Sequence, residues 1–318
     1  MTHYPWLAST WQGLQSAMSA QRLPGAILLQ SDVELGVAEL IEKFSAALLC
    51  KTYPDEGCGF CHSCELLKSQ NHPDLHFIRA EKEGKAITVE QIRQCNRQAQ
   101  ESSQMGGYRL FVIEPAEAMN ESASNALLKT LEEPSGSCLF LLICHDKKRL
   151  LPTIISRCQQ WSITPPEVSV SMQWLQQQGV SVNESFLKLA HYSPVTAMHM
   201  AKESEFQHYE KLERQFVDFL IQADSDYVSL CQTIQAATLR NLSWLWLLLS
   251  DAQKVHFGLQ NEETLQGSQA LGQLPLSGLQ TSMVKLNQLN QQLHQFSGLN
   301  EELMIINWLI ETREALCL

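Results

Sequence analysis

The sequence predicts an α/β domain built on a mostly parallel sheet, followed by two all-α domains. Three observations predict it. From about residue 24 to residue 164, short apolar runs alternate with helical stretches, the pattern of a parallel sheet covered by helices. The run Thr164-Pro165-Pro166-Glu167 then breaks that pattern. Beyond it no convincing strand recurs, and apolar residues keep helical spacing towards the C-terminus.

The elements follow in order. Ala26-Ile27-Leu28-Leu29-Gln30 reads as a buried strand and Ala38 to Leu49 as the helix after it. Thr88 and Gln91 have the spacing of a capping box, and Val89, Ile92, Cys95 and Ala99 give that helix its apolar stripe. Arg109-Leu110-Phe111-Val112-Ile113-Glu114 reads as a second strand with an acidic end. Glu117 to Glu133 is expected to be helical and to stop at Pro134, because the residue before a proline disfavours the α region. Leu139 to Cys144 is the third strand, and Trp161-Ser162-Ile163-Thr164 the fourth. Residues 168–203 divide into three short helices, the last opened by Ser193-Pro194.

From about residue 205 the chain is helical throughout. Phe216, Phe219 and Leu220 mark one stripe; Met283, Leu286, Leu289, Leu293 and Phe296 mark another with near-heptad spacing. Intramolecular core is the stronger reading of that second stripe, since a coiled-coil seam needs sustained heptads. The expected domains are therefore 1–164, 165–205 and 206–318.

The bulk numbers fit this plan. Hydrophobic residues make up 44% and charged residues 18% of 318 positions, ample material for a core. No segment approaches the roughly 18 apolar residues of a membrane span; the run Leu245 to Leu249 with its flanking Trp244 is far too short. Met1-Thr2-His3-Tyr4-Pro5-Trp6 lacks the basic region and apolar core of a signal peptide. A soluble cytoplasmic protein is expected, with no membrane partner. A net charge of −11 opposes a role as the main contact to a phosphate backbone. The same charge serves solubility equally well.

Ten cysteines are unevenly spread. Cys95, Cys138, Cys144, Cys158, Cys231 and Cys317 are scattered, several of them in apolar runs, and read as small core residues. Cys50, Cys58, Cys61 and Cys64 are clustered. Zinc takes four thiolates at tetrahedral corners about 2.3 Å from the ion, and closely spaced cysteines on a tight loop supply them. Gly57 and Gly59 let such a loop fold back. Four protein ligands would leave no open position, so a zinc ion (Zn2+) here would be structural. His62 and His72 are possible substitutes that a four-sulfur site does not need, and unmetallated thiols are the alternative.

The segment after the first strand is where a nucleoside triphosphatase holds phosphate. A P-loop requires glycines whose backbone N–H groups cradle the phosphates, a lysine, and a hydroxyl for magnesium. Here the segment is Gln30-Ser31-Asp32-Val33-Glu34-Leu35-Gly36-Val37-Ala38. Only Gly36 remains; Val37 stands in the lysine position and Ala38 in the hydroxyl position. Asp32 and Glu34 would repel a triphosphate. No bound ATP is expected. Glu114-Pro115-Ala116-Glu117 similarly replaces the Asp-Glu pair that would hold a metal, and Glu114 reads better as a surface carboxylate.

Asn125-Ala126-Leu127-Leu128-Lys129-Thr130-Leu131-Glu132-Glu133-Pro134, followed by Ser156-Arg157-Cys158, resembles the signature pair of bacterial clamp-loader AAA+ subunits. The cysteine cluster, His72-Pro73-Asp74, the degenerate P-loop, Tyr4-Pro5-Trp6-Leu7 and Gly298-Leu299-Asn300-Glu301-Glu302-Leu303 are also similar to members of that family. The likeness is densest over residues 24–164. It implies an AAA+ domain, a P-loop NTPase-like parallel sheet with an inserted zinc module at about 50–64, then a small helical lid and a helical collar. The ATP-hydrolysing gamma and tau subunits carry an intact P-loop. They also carry a sensor arginine in a segment resembling Leu189-Ala190-His191-Tyr192-Ser193-Pro194-Val195-Thr196, where this chain has none.

The resemblance thus implies a non-hydrolysing stator of the DNA polymerase III clamp loader, a component of the DNA-directed DNA polymerase holoenzyme that catalyses nothing alone. Its partners would be the gamma or tau and delta subunits, with the sliding clamp and primed DNA reached through the complex. It also implies that Arg157 reaches into a neighbour's ATP site. The residues alone favour an intrachain salt bridge or cap for Arg157, given Pro152 and the short turn before it. Two further readings stay open: an active AAA+ ATPase with an unusual P-loop, and a zinc-dependent DNA-binding protein.

Overall fold

A computed structural model describes residues 4–316 except 33, 54–55, 83, 135, 204, 223–225 and 297. Met1, Thr2, His3, Val33 and Cys317, each read in the sequence above, therefore lie outside the described residues. The chain divides into two compact units after Pro166.

The first unit holds a five-stranded, all-parallel sheet in the order β2-β3-β4-β1-β5. Its strands are β1 (Ala26–Ser31), β2 (Leu75–Ile78), β3 (Arg109–Ile113), β4 (Cys138–Cys144) and β5 (Gln159–Ile163). Successive side chains of a strand point to opposite faces, and both faces are covered. Leu110, Val112, Leu139, Leu141, Ile27 and Leu29 pack with α1 (Ala8–Ser19) and α2 (Val37–Leu49), around Leu14, Leu40 and Phe44. Leu28, Phe111, Ile113, Phe140 and Leu142 pack on the other side. There they meet Ile92 and Cys95 of α4 (Val89–Ala99), Leu127 of α5 (Glu121–Glu132) and Ile154 of α6 (Pro152–Ile155). Burial on both faces is why β3 and β4 read as continuous apolar runs.

The remaining helix of this unit, α3 (His62–Lys68), follows the cysteine loop. The capping box of α4 forms as its spacing predicts. The Thr88 side chain accepts from the Gln91 backbone N–H, and the Gln91 side-chain oxygen accepts from the Thr88 backbone N–H.

Two expectations need correction. The sequence reading found four strands, and β2 is a fifth. β2 is four residues long, lies at the sheet edge and exposes Phe77, so it lacks the dense apolar run of a central strand. The predicted helix over 117–133 is instead a 3₁₀ turn at Ala116–Ala118 followed by α5 from Glu121. Asn120 sets the true start, because its side-chain oxygen accepts the Ala123 N–H at 2.8 Å.

The second unit is helical: α7 (Val168–Gln177), α8 (Glu184–Leu189), α9 (Pro194–Lys202), α10 (Glu205–Ile221), α11 (Tyr227–Gln235), α12 (Thr238–His256), α13 (Ser268–Leu271), α14 (Leu276–Gln295) and α15 (Glu301–Ala315). The apolar run around Trp244 is the buried face of α12. The Trp244 indole N–H donates to the Leu189 carbonyl at 3.0 Å, and Tyr209 meets the ring edge-on. Beside it lies a buried ion pair, Lys188 on Asp251, whose second carboxylate oxygen accepts the Leu265 N–H. Along α14, Leu286 and Leu289 are buried core. Phe296 lies past the helix end and is exposed. Among the described residues, no helix is long and apolar enough to cross a membrane.

Candidate functional site

The cysteine loop runs from the end of α2 into α3. Cys50 caps the C-terminus of α2, Cys61 caps the N-terminus of α3, and Cys64 sits in the first turn of α3. Gly57 and Gly59 turn the loop between them with left-handed φ of 80° and 73°. At Gly57 a side chain would also press on Ala46, its Cβ only 2.9 Å from that of the alanine. All four sulfurs lie within 4.8 Å of one another. Cys50 Sγ is 3.9 Å from Cys61 Sγ, and Cys58 Sγ is 3.9 Å from Cys64 Sγ. The edge of a tetrahedron of thiolates around zinc is about 3.8 Å. The residues present fit that ion.

Backbone N–H groups point at the sulfurs, as thiolates require. Tyr53 N and Cys58 N each lie 3.3 Å from Cys50 Sγ, and Cys61 N lies 3.3 Å from Cys58 Sγ. Burial raises the Cys50 thiol, but these donors outweigh it and hold the group below its ordinary value. Cys61 falls to about 6 through N–H groups of Lys51 and Cys64. Cys64, the most enclosed, is pushed up to about 12 by burial. His62 lies exposed on α3.

His72 is a strut and stands outside the sulfur cluster. Its Nδ1 accepts the Asp74 N–H at 3.1 Å, so its proton sits on Nε2 and faces Ser63 Oγ at 2.9 Å. The Ser63 hydroxyl in turn donates to the Leu49 carbonyl at 2.7 Å. Burial keeps the His72 imidazole neutral by lowering its pKa. Asp74 continues the chain of contacts: its carboxylate accepts from Ser103 Oγ, Gln104 N and Met105 N at 2.8 to 2.9 Å. Facing it at 3.7 Å is the Nε of Arg109, and both side chains are 1% exposed. The Arg109 guanidinium donates to the carbonyls of Gln98 and Glu101 at the end of α4 and stands over Phe111. A positive charge there also complements the helix C-terminus. The sequence reading missed Arg109 and Ser63; a lone arginine opening an apolar strand was the available signal.

The degenerate P-loop is filled by the chain itself. Gly36 adopts φ 80° at the start of α2, and a Cβ there would lie 2.5 Å from the Tyr4 ring. The Trp6 indole N–H donates to the Leu35 carbonyl at 2.9 Å. Val37 is buried in the core beside Leu7 and Leu40, whereas Ala38 is exposed. Glu114 pairs with Arg79 at the surface, 2.5 Å from Nη2. Glu117 accepts the backbone N–H groups of His145 and Asp146 beyond the end of β4.

Arg157 follows α6 and precedes β5. Its Nε and Nη2 both donate to Oε1 of Glu132 at the end of α5, with Nε at 2.7 Å. Its Nη1 donates to the Thr153 carbonyl at 2.9 Å. The side chain remains 30% exposed. Ser156 Oγ also donates to the Thr153 carbonyl, and Cys158 is buried, its thiol pushed up to about 12 by burial.

A five-stranded parallel sheet covered by helices, bearing this cysteine loop and followed by a helical unit, defines an α/β protein with an all-α C-terminal unit. The comparisons narrow that class. The family model described as "DNA polymerase III, delta subunit" matches residues 6–167, and "DNA polymerase III, delta subunit, C terminal" matches residues 203–314. The DNA polymerase III subunit delta' of Yersinia pestis is 32% identical across 99% of this chain and 97% of its own length. That of Escherichia coli K12 is 29% identical across 98% and 95%, and that of Haemophilus influenzae 28% across 96% and 95%. The chain belongs to the DNA polymerase III delta' family.

The Asp74–Arg109 pair generates a prediction about pH. Burial raises the Asp74 carboxyl, but the N–H groups of Met105 and Gln104 and the Ser103 hydroxyl outweigh it, so the folded pKa is depressed. The stability it contributes is present above the unfolded value of about 3.9 and is lost as pH falls through the folded value. Asp74→Asn should cost about 3 kcal/mol at pH 7, because it leaves the buried Arg109 with only the exposed Glu101 carboxylate, 3.8 Å from Nη2, as counter-charge. The gap between variant and parent, measured by urea denaturation, should narrow below about pH 4. A gap independent of pH would contradict this account.

Proposed function

We propose that this chain is the non-hydrolysing stator of a DNA polymerase III clamp loader. In this reading it assembles with gamma or tau and delta subunits, and reaches the sliding clamp and primed DNA through that complex in DNA replication. It performs no reaction alone and acts in the cytoplasm. It carries one structural zinc on Cys50, Cys58, Cys61 and Cys64, holds no ATP, and offers Arg157 to a neighbouring ATPase subunit. Residues 165–205 form its lid and 206–318 its collar. Apolar side chains left exposed on α14 and α15, Val284, Leu303 and Ile310, suit the collar to oligomerisation.

The observation that carries the reading is the Tyr4 ring against Gly36. A phosphate cradle needs that backbone open to ligand, and here an aromatic ring covers it. The lysine position is core, since Val37 is 8% exposed. A chain closed to its own nucleotide can still complete a neighbour's site with a surface guanidinium, whose planar donors suit phosphate oxygens. An arginine finger contributes roughly 10³–10⁵ in turnover.

Three outcomes test this. Metal analysis should find one zinc per chain. Cys61→Ser or exhaustive chelation should remove it and lower the melting temperature, because metal binding supplies folding energy to such a loop; unchanged metal content would refute the site. Titration calorimetry of the isolated chain should give no saturable heat with Mg-ATP. Val37→Lys should not restore binding, as the new side chain would point into the core. Saturable hydrolysis by the contaminant-free chain would defeat the stator reading.

The decisive test is Arg157→Ala in a reconstituted loader. Assembly by gel filtration should be normal while DNA- and clamp-stimulated hydrolysis falls, with residual turnover from the other sites. Arg157→Lys should be nearly as damaging, since an ammonium lacks the planar fork. Normal hydrolysis would sink the finger. Failed assembly would leave Arg157 a purely structural ion pair.

A further inference from the structure

The contacts of Arg157 raise a question of valence. A guanidinium has five N–H bonds in one plane. Nε–H and the adjacent Nη2–H form one edge, and both go to Glu132 Oε1. One Nη1–H goes to the Thr153 carbonyl. Three of the five are thereby spent within the chain. The two left are one on each terminal nitrogen, with no hydrogen-bond partner among the described residues. A phosphate oxygen accepts such charge-assisted N–H donors.

We propose that Glu132 is a positioning residue for Arg157. With the Thr153 carbonyl, it fixes the guanidinium plane and leaves one N–H on each terminal nitrogen of this partly exposed side chain for a phosphate of the neighbouring subunit. The proposal rests on the reading of Arg157 as a finger. It also explains how an intrachain salt bridge and a finger can be one arrangement, because the bridge takes the side edge and leaves an N–H on each terminal nitrogen.

Physical economy supports a rigid holder. A free arginine side chain has several rotatable bonds, and ordering it on arrival of the phosphate would cost about 2 kcal/mol of rotamer entropy. Anchoring both flanks beforehand removes most of that cost from the reaction. The anchors also come from rigid elements: Glu132 is the last residue of α5 and Thr153 lies in α6. Both helices contribute to the core on one face of the sheet through Leu127, Leu131 and Ile154. Glu132 is itself 47% exposed, so its negative charge weakens the cation little through solvent.

The test uses the full chain, alone and in the reconstituted loader, with Glu132→Ala, Glu132→Gln, Arg157→Ala and the double variant Glu132→Ala with Arg157→Ala. The readout in the loader is Arg157-dependent turnover, the difference between parent and Arg157→Ala. Glu132→Ala should lower it on the order of 10-fold, as loss of orientation does. The KM for ATP should stay unchanged, because a finger acts on the transition state. Glu132→Gln keeps an oxygen acceptor in place and should retain most of it. The double variant should be no worse than Arg157→Ala alone. In the isolated chain, the Arg157 Nε–H should give a protected ¹⁵N resonance that Glu132→Ala abolishes.

The failures separate cleanly. If Arg157→Ala leaves turnover intact, the finger reading falls and this proposal with it. If Arg157→Ala lowers turnover but Glu132→Ala does not, Arg157 is a finger that needs no holder, and only the present proposal is overturned. An extra loss in the double variant would mean that Glu132 acts elsewhere, which also overturns it. Should Glu132→Ala fail to assemble, Glu132→Gln and the isolated-chain resonance decide: an unprotected Nε–H in the parent would overturn it.

Discussion

A carboxylate and a guanidinium with no access to water hold the edge of the sheet. Removing two such ions from solvent costs several kcal/mol each, so Asp74 and Arg109 persist only because their surroundings offset most of that cost. Arg109 Nε, 3.7 Å from the carboxylate, makes no hydrogen bond. Asp74 collects two backbone N–H groups and a hydroxyl from residues 103–105. Arg109 gathers the carbonyls at the end of α4. The turn after α4, the start of β3 and the approach to β2 are therefore fixed by one another. Through the Asp74 backbone the same pair steadies His72, and through His72 it reaches Ser63 and Leu49. Ser63 neighbours Cys64, and Leu49 neighbours Cys50. The separation of those two sulfurs is thus tied to the sheet, although neither cysteine touches it through this route.

What could be read from the sequence follows from how local each signal is. The central strands β1, β3 and β4 are legible because burial on both faces leaves an unbroken apolar run. β2 is not, because an edge strand with His76 and an exposed Phe77 carries no such run. The capping box of α4 is legible at a spacing of three residues. The cap at Asn120 obeys the same chemistry, yet a proline and two alanines between it and β3 looked compatible with a longer helix. The four-cysteine cluster lies within fifteen residues of chain, and its spacing shows directly.

Contacts between distant segments leave no local trace. Tyr4 over Gly36, Asp74 against Arg109 and Glu132 on Arg157 each join residues far apart in the chain. Composition could raise them only as questions. The pattern of α14 shows the intermediate case: Leu286 and Leu289 are core, as their spacing suggests, while the same count carried onward to Phe296 overshoots the helix end.

The two ends of the nucleotide story share one logic. A phosphate site requires unsatisfied donors held in place before the ligand arrives. At Gly36 the chain lacks that provision: an aromatic ring lies over the glycine and the core takes the lysine position. At Arg157 a partly exposed guanidinium is gripped by Glu132 and Thr153, and one N–H on each terminal nitrogen takes no partner among the described residues, as the proposed role requires. Burying Val37 and covering Gly36 with the Tyr4 ring add apolar contact. Keeping the second open requires a charge at the surface with an anion beside it, which the acidic balance of the chain supplies readily.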